Sequence, residues 1–175
     1  MNKFVGNYDN VMFSGEYDEV SEPLKEYTVD DEDYIHETST SCTLLGVKSK
    51  KTGHWGWINT SGTFIISAEY DSGWIRCYNG IVILQRNGKY GGLYRTDLKI
   101  AFKFEYEYIG VCFKDVYCVR KNGRIALSRP CETRVTDFNY HGITREHDGP
   151  VFGFVKDDLY GKKSGKINVL TGEEQ

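Results

Sequence analysis

The sequence repeats itself at intervals of 35 residues, and this recurrence limits the possible folds more than any other feature. A shift of 35 residues carries Gly53 to Gly88 and then to Gly123. The same shift superposes four pairs of an apolar residue followed by a small one: Trp55-Gly56, Tyr90-Gly91, Ile125-Ala126 and Tyr160-Gly161. A fixed period of this length predicts a repeat architecture, in which each unit buries its apolar face against its neighbours.

A second marker follows nearly the same spacing. It is a tyrosine between two polar residues, and we call it the tyrosine marker. Its copies are Glu16-Tyr17-Asp18, Glu69-Tyr70-Asp71, Glu105-Tyr106-Glu107 and Asn139-Tyr140-His141. Because separate markers share one period, we interpret the chain as about four tandem units, the first of them degenerate.

The patterns within one unit predict a hairpin and a third strand. Asn87-Gly88 supplies the positive φ values of a tight turn between the apolar runs 81–84 and 90–94. Residues 99–108 then alternate in polarity. One face of that strand carries Ile100, Phe102, Phe104, Tyr106 and Tyr108. We therefore expect this face to be buried and the other to be in solvent.

The clearest strands lie between residues 45 and 128. They are 45–48, 54–59, 63–67, 80–85, 89–94, 100–106, 116–120 and 124–128. A dozen or more strands exceed what one open sheet holds without curling. We predict an all-β fold, a curled antiparallel meander of about four tandem repeats of about 35 residues, barrel-like or propeller-like. Residues 1–44 would be a degenerate first repeat with an acidic insert at 25–41, and 45–175 the repeat array of the same domain.

The pairing of an aromatic residue with glycine has a structural explanation. An aromatic side chain at the centre of a unit would bury about 150–250 Å². Glycine after it would let another backbone or ring approach closely, or permit a bulge. We therefore expect Trp55-Gly56 to belong to the core, and Ile125-Ala126 to have given up the close contact.

These motifs resemble the WG-repeat family, also called the KWG-repeat family. The best matches are Gly53-His54-Trp55-Gly56-Trp57-Ile58 followed by Glu69-Tyr70-Asp71, and Asn87-Gly88-Lys89-Tyr90-Gly91. The resemblance covers residues 45–165, with Glu16-Tyr17-Asp18 as a partial unit before them. It implies a repeat fold, and it implies no reaction because it transfers no catalytic residues.

Composition narrows the functional classes. No window of 18 residues is apolar, and the amino-terminal residues lack the apolar core of a signal sequence, so we expect a cytoplasmic protein without a membrane partner. The metalloprotease, hydrolase and phosphate-loop motifs are missing from the sequence. We therefore expect no enzyme activity and no cofactor. An enzyme whose catalytic groups converge from distant loops remains a third class.

One constellation suggests a metal site. Cys42, Cys77, Cys112 and His147 follow one another at 35-residue intervals, and three thiolates with an imidazole form a familiar zinc set. Equivalent residues three strands apart in a meander are separated by about 14 Å, however. We therefore interpret them as small core positions and predict no metal, leaving open whether they converge around an axis.

Charge is divided unevenly along the chain. Residues 1–40 hold 11 acidic and 2 basic side chains, a net charge of −9, whereas residues 41–175 have a net charge of +6. The leading hypothesis is a protein-binding repeat module, in one version a small inhibitor or immunity-type protein. Its unidentified protein partner would present a basic site to the acidic insert, at Asp30, Asp31, Glu32, Asp33, Tyr34 and Glu37. The simpler alternatives are a solvated acidic loop, or an acidic segment that packs beside the basic repeats.

The second hypothesis is a nucleic-acid-binding module. Residues 76–134 hold 12 basic and 5 acidic side chains, with aromatic residues among them. The candidate contacts are Arg86, Lys89, Arg95, Lys103, Arg120 and Lys121. Such a basic strand face is also compatible with ordinary solvated surface.

Overall fold

A computed structural model describes residues 4–8, 11–15, 17–29, 35–37, 44–73, 75–145 and 149–175. The strands of the amino-terminal part are β1 (Phe4–Tyr8), β2 (Val11–Gly15), β3 (Glu19–Pro23), β4 (Glu26–Val29) and β5 (Ile35–Glu37). Those of the middle part are β6 (Leu45–Lys48), β7 (Trp55–Ile58), β8 (Phe64–Tyr70), β9 (Arg76–Tyr78), β10 (Ile81–Arg86), β11 (Lys89–Tyr94) and β12 (Ile100–Tyr106). The last are β13 (Tyr108–Phe113), β14 (Val116–Lys121), β15 (Arg124–Arg129), β16 (Thr133–Arg134), β17 (Tyr140–Arg145), β18 (Val151–Asp158) and β19 (Gly161–Asn168). A short 3₁₀ helix covers Pro130–Glu132.

The described strands form four open sheets. Sheet B has the order β3-β6-β7-β8, sheet C the order β12-β11-β10-β9-β4-β5, and sheet D the order β13-β14-β15-β17-β18-β19 with β16 beside β15. A separate two-stranded sheet, sheet A, consists of β1 and β2. Neighbouring strands are antiparallel except β4 and β9, which are parallel. The all-β, antiparallel prediction is confirmed, and no closed barrel is found among the described strands.

The hairpin predicted at Asn87-Gly88 is confirmed, and a second hairpin has the same form. β10 and β11 meet at Asn87-Gly88, and β14 and β15 meet at Asn122-Gly123. Both residues of each turn have positive φ, 54° and 72° in the first and 53° and 71° in the second. Asparagine and glycine adopt this conformation more readily than other residues, so the dipeptide fixes the position of each hairpin.

A shared register connects the two repeating markers. Trp55 lies opposite Tyr70, Tyr90 lies opposite Tyr106, and Ile125 lies opposite Tyr140. In each case the residue before the small one faces the tyrosine of the marker on the adjacent strand. The 35-residue period of the sequence is therefore also a period of strand pairing.

In the first two pairs the glycine allows a close approach, as the sequence predicted. Just beyond Trp55 and Tyr90 the register shifts, because β8 and β12 bulge. A Cβ atom on Gly56 would lie 2.7 Å from the carbonyl oxygen of Ile66, and a Cβ atom on Gly91 would lie 2.6 Å from the ring of Phe104. In the third unit Ala126 is fully buried, and its methyl group occupies the space that the glycine leaves to a neighbouring group in the first two pairs.

Buried side chains fill the spaces between consecutive sheets. One cluster joins Trp57 and Tyr70 of sheet B to Val82 and Leu84 of sheet C. Another joins sheet C to sheet D, where the rings of Phe102 and Tyr117 are 5.0 Å apart. Each large apolar side chain buried in this way is worth about 1.5–3 kcal/mol. Neighbouring sheets therefore stabilise one another, as expected of a repeat array.

At two of the tyrosine markers the chain passes from one sheet to the next. Tyr106 ends β12 in sheet C and Tyr108 begins β13 in sheet D. Likewise β8 ends at Tyr70 in sheet B, and the chain next enters sheet C at β9. Sheet B and the β9–β12 part of sheet C thus share one plan: a first strand, a hairpin, and a fourth strand that ends in the marker.

Two predictions about apolar positions were wrong. Tyr160 is 97% exposed, because the β18–β19 turn lies at Leu159-Tyr160, two residues later than the 35-residue period places it. On the third predicted strand, Ile100 and Tyr108 are exposed, because the bulge in β12 and the change of sheet after Tyr106 interrupt the alternation. Phe102 and Tyr106 are buried as predicted.

We predict that Gly91→Val lowers the free energy of unfolding by about 3 kcal/mol, because the branched side chain must displace the ring of Phe104. Urea denaturation measures the loss. Gly142→Val is the matched control, since a Cβ atom on Gly142 would meet nothing within 4 Å. Equal stability of the Gly91 variant and the control would contradict the role assigned to this contact.

Candidate interaction surface

The last residue of the tyrosine marker holds the following hairpin turn in place. The Asp71 carboxylate accepts hydrogen bonds from the backbone N–H groups of Asn87 at 3.1 Å and Gly88 at 2.7 Å. The Glu107 carboxylate does the same for Asn122 at 2.9 Å and Gly123 at 3.0 Å. Hydrogen bonds to an ionised acceptor are stronger than those between neutral groups. The acid of one unit therefore fixes the turn of the next unit.

The tyrosine of the marker is a core residue. Tyr70, Tyr106 and Tyr140 are all buried. Burial raises the pKa of Tyr70 and of Tyr106 to about 12, and it also raises the pKa of Tyr140. These phenols remain protonated near neutral pH, so they are poor candidates for acid–base chemistry.

The first residue of the marker pairs with a basic residue at the end of the neighbouring hairpin. Glu69 lies 3.2 Å from Arg86, and Glu105 lies 2.8 Å from Lys121. The guanidinium of Arg86 also lies over the ring of Phe104, 4.4 Å from its centre. All three positions of the marker thus have structural roles in these two units.

In the last copy of the marker the charges are exchanged. His141 replaces the acid, and Asp157 stands 35 residues after Asn122 of the preceding turn. The His141 Nε2 atom lies 2.7 Å from an Asp157 carboxylate oxygen and 2.7 Å from the Arg124 guanidinium, which also donates to Asp157. Hydrogen bonds from Arg124 and His141 hold the pKa of Asp157 below its ordinary value. The cluster borders an open cleft of about 430 Å³.

Most of the predicted nucleic-acid contacts are neutralised by neighbouring acids. Besides Arg86 and Lys121, Arg95 pairs with Glu26 at 3.4 Å and Lys103 pairs with Glu132 at 3.0 Å. In the part of the chain that the structure describes, Lys89 and Arg120 have no ion pair. The six side chains therefore do not form a continuous unpaired basic face.

The acidic insert is built onto the edge of sheet C. Its flanks, expected to be part of a loop, are strands: β4 pairs with β9, and β5 pairs with β4 at the end of the sheet. Glu37 lies in β5, 3.4 Å from Lys25. The other predicted partner-binding residues, Asp30 to Tyr34, lie outside the described residues. They connect two strands that the sheet holds in place.

The base of the insert is tied to the second unit by several contacts. The backbone carbonyl groups of Lys25 and Tyr27 accept hydrogen bonds from the N–H groups of Cys77 and Asn79. The rings of Tyr27 and Tyr78 are 5.6 Å apart. Sequence reasoning missed this attachment, because parallel pairing between β4 and β9 leaves no local pattern; the only signal was the length of the insert.

The cysteines at the 35-residue interval occupy different parts of the core. Cys77 is buried in the cluster with Trp57, whereas Cys112 packs against the cluster around Phe113 and Phe152. Burial raises the pKa of Cys77 to about 12; a hydrogen bond with Cys118 and burial raise that of Cys112. Cys42 and His147 lie outside the described residues. No group of three metal-binding side chains occurs among those that are described.

The strand order and the contacts of the tyrosine markers together define an all-β repeat protein, in which side chains of one unit bond to the hairpin of the next. Residues 55–90 match the family described as WG containing repeat, which confirms the resemblance to WG repeats for this stretch of the chain. The match runs from Trp55 to Tyr90, one full period of the register described above. No curated protein and no solved structure matches the chain. No helix in the described ranges has the length and hydropathy needed to cross a bilayer.

We predict that Asp71→Ala lowers the free energy of unfolding by about 1–2 kcal/mol, because two backbone N–H groups lose an ionised acceptor. Asp71→Asn should lose less, since its amide oxygen still accepts a hydrogen bond. Asp137→Ala, a change at an exposed acid, serves as the control and should stay within about 0.5 kcal/mol of the wild type. Thermal and urea unfolding of the three variants provide the comparison.

A second prediction concerns pH. Because the folded pKa of Asp157 is lowered, its carboxylate stabilises the fold above the unfolded pKa of about 3.9, and this contribution is lost as the pH falls through the folded pKa. Asp157→Asn should therefore have a lower urea midpoint than the wild type at neutral pH, and the two midpoints should converge in acid. Asp158→Asn is the control. A constant difference at every pH would rule out this linkage.

Proposed function

We propose that the chain is a non-enzymatic protein-binding repeat module of the cytoplasm, and that the acidic segment between β4 and β5 contacts a basic site on its partner. In its most concrete form the protein is a small inhibitor or immunity-type protein. The observation that carries the proposal is the contrast between the repeats, whose charges are largely paired internally, and the strongly acidic segment anchored at a sheet edge.

The attachment of the insert supports a recognition role. A binding segment held by rigid strands loses less conformational entropy on association than a free loop. The parallel pairing of β4 with β9 and the ion pair between Glu26 and Arg95 both fix the base of this segment. Four of its five residues from Asp30 to Tyr34 are acidic, which suits electrostatic steering toward a basic surface.

We further propose that the array consists of four tandem units arranged in a propeller-like way. Sheet B and the β9–β12 part of sheet C each have a first strand, a hairpin and a fourth strand. β13, β14 and β15 repeat the first three strands, with Tyr140 of β17 in the marker position. β17, β18 and β19 repeat them once more.

The absence of an enzyme activity is also a proposal, and two observations support it. The pKa values of Cys77 and Cys112 are raised, so these thiols are not activated as thiolate nucleophiles. The recurring marker residues accept hydrogen bonds from turn N–H groups and form ion pairs with basic side chains. These structural roles account for their spacing without catalysis.

The test is affinity capture from a lysate of the source cells, followed by mass spectrometry. A variant with Asp30→Asn, Asp31→Asn, Glu32→Gln and Asp33→Asn removes the charge of the acidic segment. The matched control removes the same charge from exposed acids elsewhere, with Asp97→Asn, Asp137→Asn, Asp158→Asn and Glu173→Gln. We expect one protein to be retained equally by the wild type and the control, and about tenfold less by the acidic-segment variant.

Equal retention by all three proteins would overturn the role of the acidic segment. The nucleic-acid alternative is tested in parallel on immobilised single-stranded DNA. We expect no retention at low salt, because Arg86, Arg95, Lys103 and Lys121 are already paired with acids. Retention that disappears as salt is added would favour the nucleic-acid module instead.

A further inference from the structure

We propose that the outer edge of β19 is a docking site for strand β2 of a second copy of this chain, so that two copies exchange strands in a closed dimer. This inference concerns a different surface from the acidic segment and does not depend on the proposed partner. It follows from an open strand edge, from an unattached hairpin, and from the order of strands in the other sheets.

The last sheet has an open edge. β19 is the terminal strand of sheet D, and on its outer side Lys166 exchanges backbone hydrogen bonds with Gln175 while Asn168 bonds to Glu173. Among the described residues, no backbone group pairs with this side of β19 from Gly161 to Ser164, and all four residues are exposed. An edge of this kind is a template for another strand.

Other sheets show what fills the equivalent edge. In sheets B and C the second strand of the hairpin is followed by a fourth strand that ends in the tyrosine marker: β8 pairs with β7, and β12 pairs with β11. β19 is the second strand of its hairpin, with β17 and β18 before it. By this plan, the strand expected beside β19 is one that leads into a tyrosine marker.

β2 is such a strand. It ends at Gly15, immediately before the marker Glu16-Tyr17-Asp18, just as β8 and β12 end within their own markers. Together β1 and β2 form sheet A, which is not hydrogen-bonded to any other described strand. An isolated two-stranded hairpin is marginally stable in water, so an added partner strand would stabilise it. In this structure β2 pairs with β1 and not with β19, and we therefore assign the contact to a second copy.

Charge favours the pairing. The exposed half of β19 carries Lys162, and Lys166 follows it; Lys163 between them already lies 3.6 Å from Glu174. The marker after β2 supplies Asp18, and the register used by β8 and β12 would bring this marker beside the hairpin tip, where Lys162 lies. Each copy donates one β2 and accepts one, which gives a closed two-fold assembly.

Backbone geometry selects the substitutions for the test. Because Lys166 bonds outward to Gln175, and residues of a strand alternate between its two sides, the N–H of Ser164 also points outward. In β2, Val11 pairs with Tyr8 across the two-residue connection, so the N–H of Ser14 points away from β1. Ser164→Pro and Ser14→Pro each remove one outward donor and keep the existing hairpin bonds.

The experiment measures molar mass by light scattering over a series of protein concentrations. We expect the full-length wild type to reach twice the mass of one chain, and each proline variant alone to remain at the mass of one chain. An equimolar mixture of the two variants restores one of the two contacts, because one variant supplies an intact β2 and the other an intact β19 edge, so the doubled mass should return at the higher concentrations of the series. Ser164→Ala and Ser14→Ala keep their N–H groups and should behave as the wild type.

Recovery in the mixture also shows that both variants are folded. If Ser164→Pro unfolds by circular dichroism, Lys162→Pro removes the next outward N–H and repeats the test. A wild type that stays at the mass of one chain at every concentration would overturn the proposal. Proline variants that keep the doubled mass, or folded variants whose mixture stays at the mass of one chain, would overturn it as well.

Discussion

The bond between a carboxylate and the next hairpin turn is the interaction on which this architecture depends. Asp71 and Glu107 each satisfy two backbone N–H groups of a turn that lies about 16 residues later in the chain. The acid stands where the chain leaves one sheet, and the turn belongs to the next sheet. This bond sets the spacing between units, and burial between the sheets then supplies most of the stabilisation.

Because the recurring residues hold the array together, function is expected where the repetition is interrupted. The marker acids pair with Arg86 and Lys121, and the marker tyrosines fill the core. What remains individual is the insert at the edge of sheet C and the part of the β19 edge from Gly161 to Ser164. A repeat scaffold commonly separates these tasks, with shared positions for folding and exceptional ones for binding.

The parts of the fold that local chemistry determines could be predicted from the sequence. Asn87-Gly88 places its hairpin, and Trp55-Gly56 signals a close approach, because turn conformation and the lack of a side chain act on neighbouring residues. Contacts between distant segments could not be predicted. The pairing of β4 with β9 and of Arg95 with Glu26 depends on how sheets meet, and the two-residue shift that exposes Tyr160 breaks the period on which its prediction depended.

The exchanged charges of His141 and Asp157 limit which repeats could have been gained or lost during evolution. Glu107 accepts hydrogen bonds from the backbone N–H groups of a turn, whereas His141 bonds to the carboxylate of Asp157, which lies in strand β18 just before its turn. Excising one whole unit from the middle would leave the old caps and turns matched, but moving the last hairpin behind Glu107 would set two carboxylates face to face. Whole units could therefore be gained or lost without bringing two carboxylates together only upstream of the final hairpin.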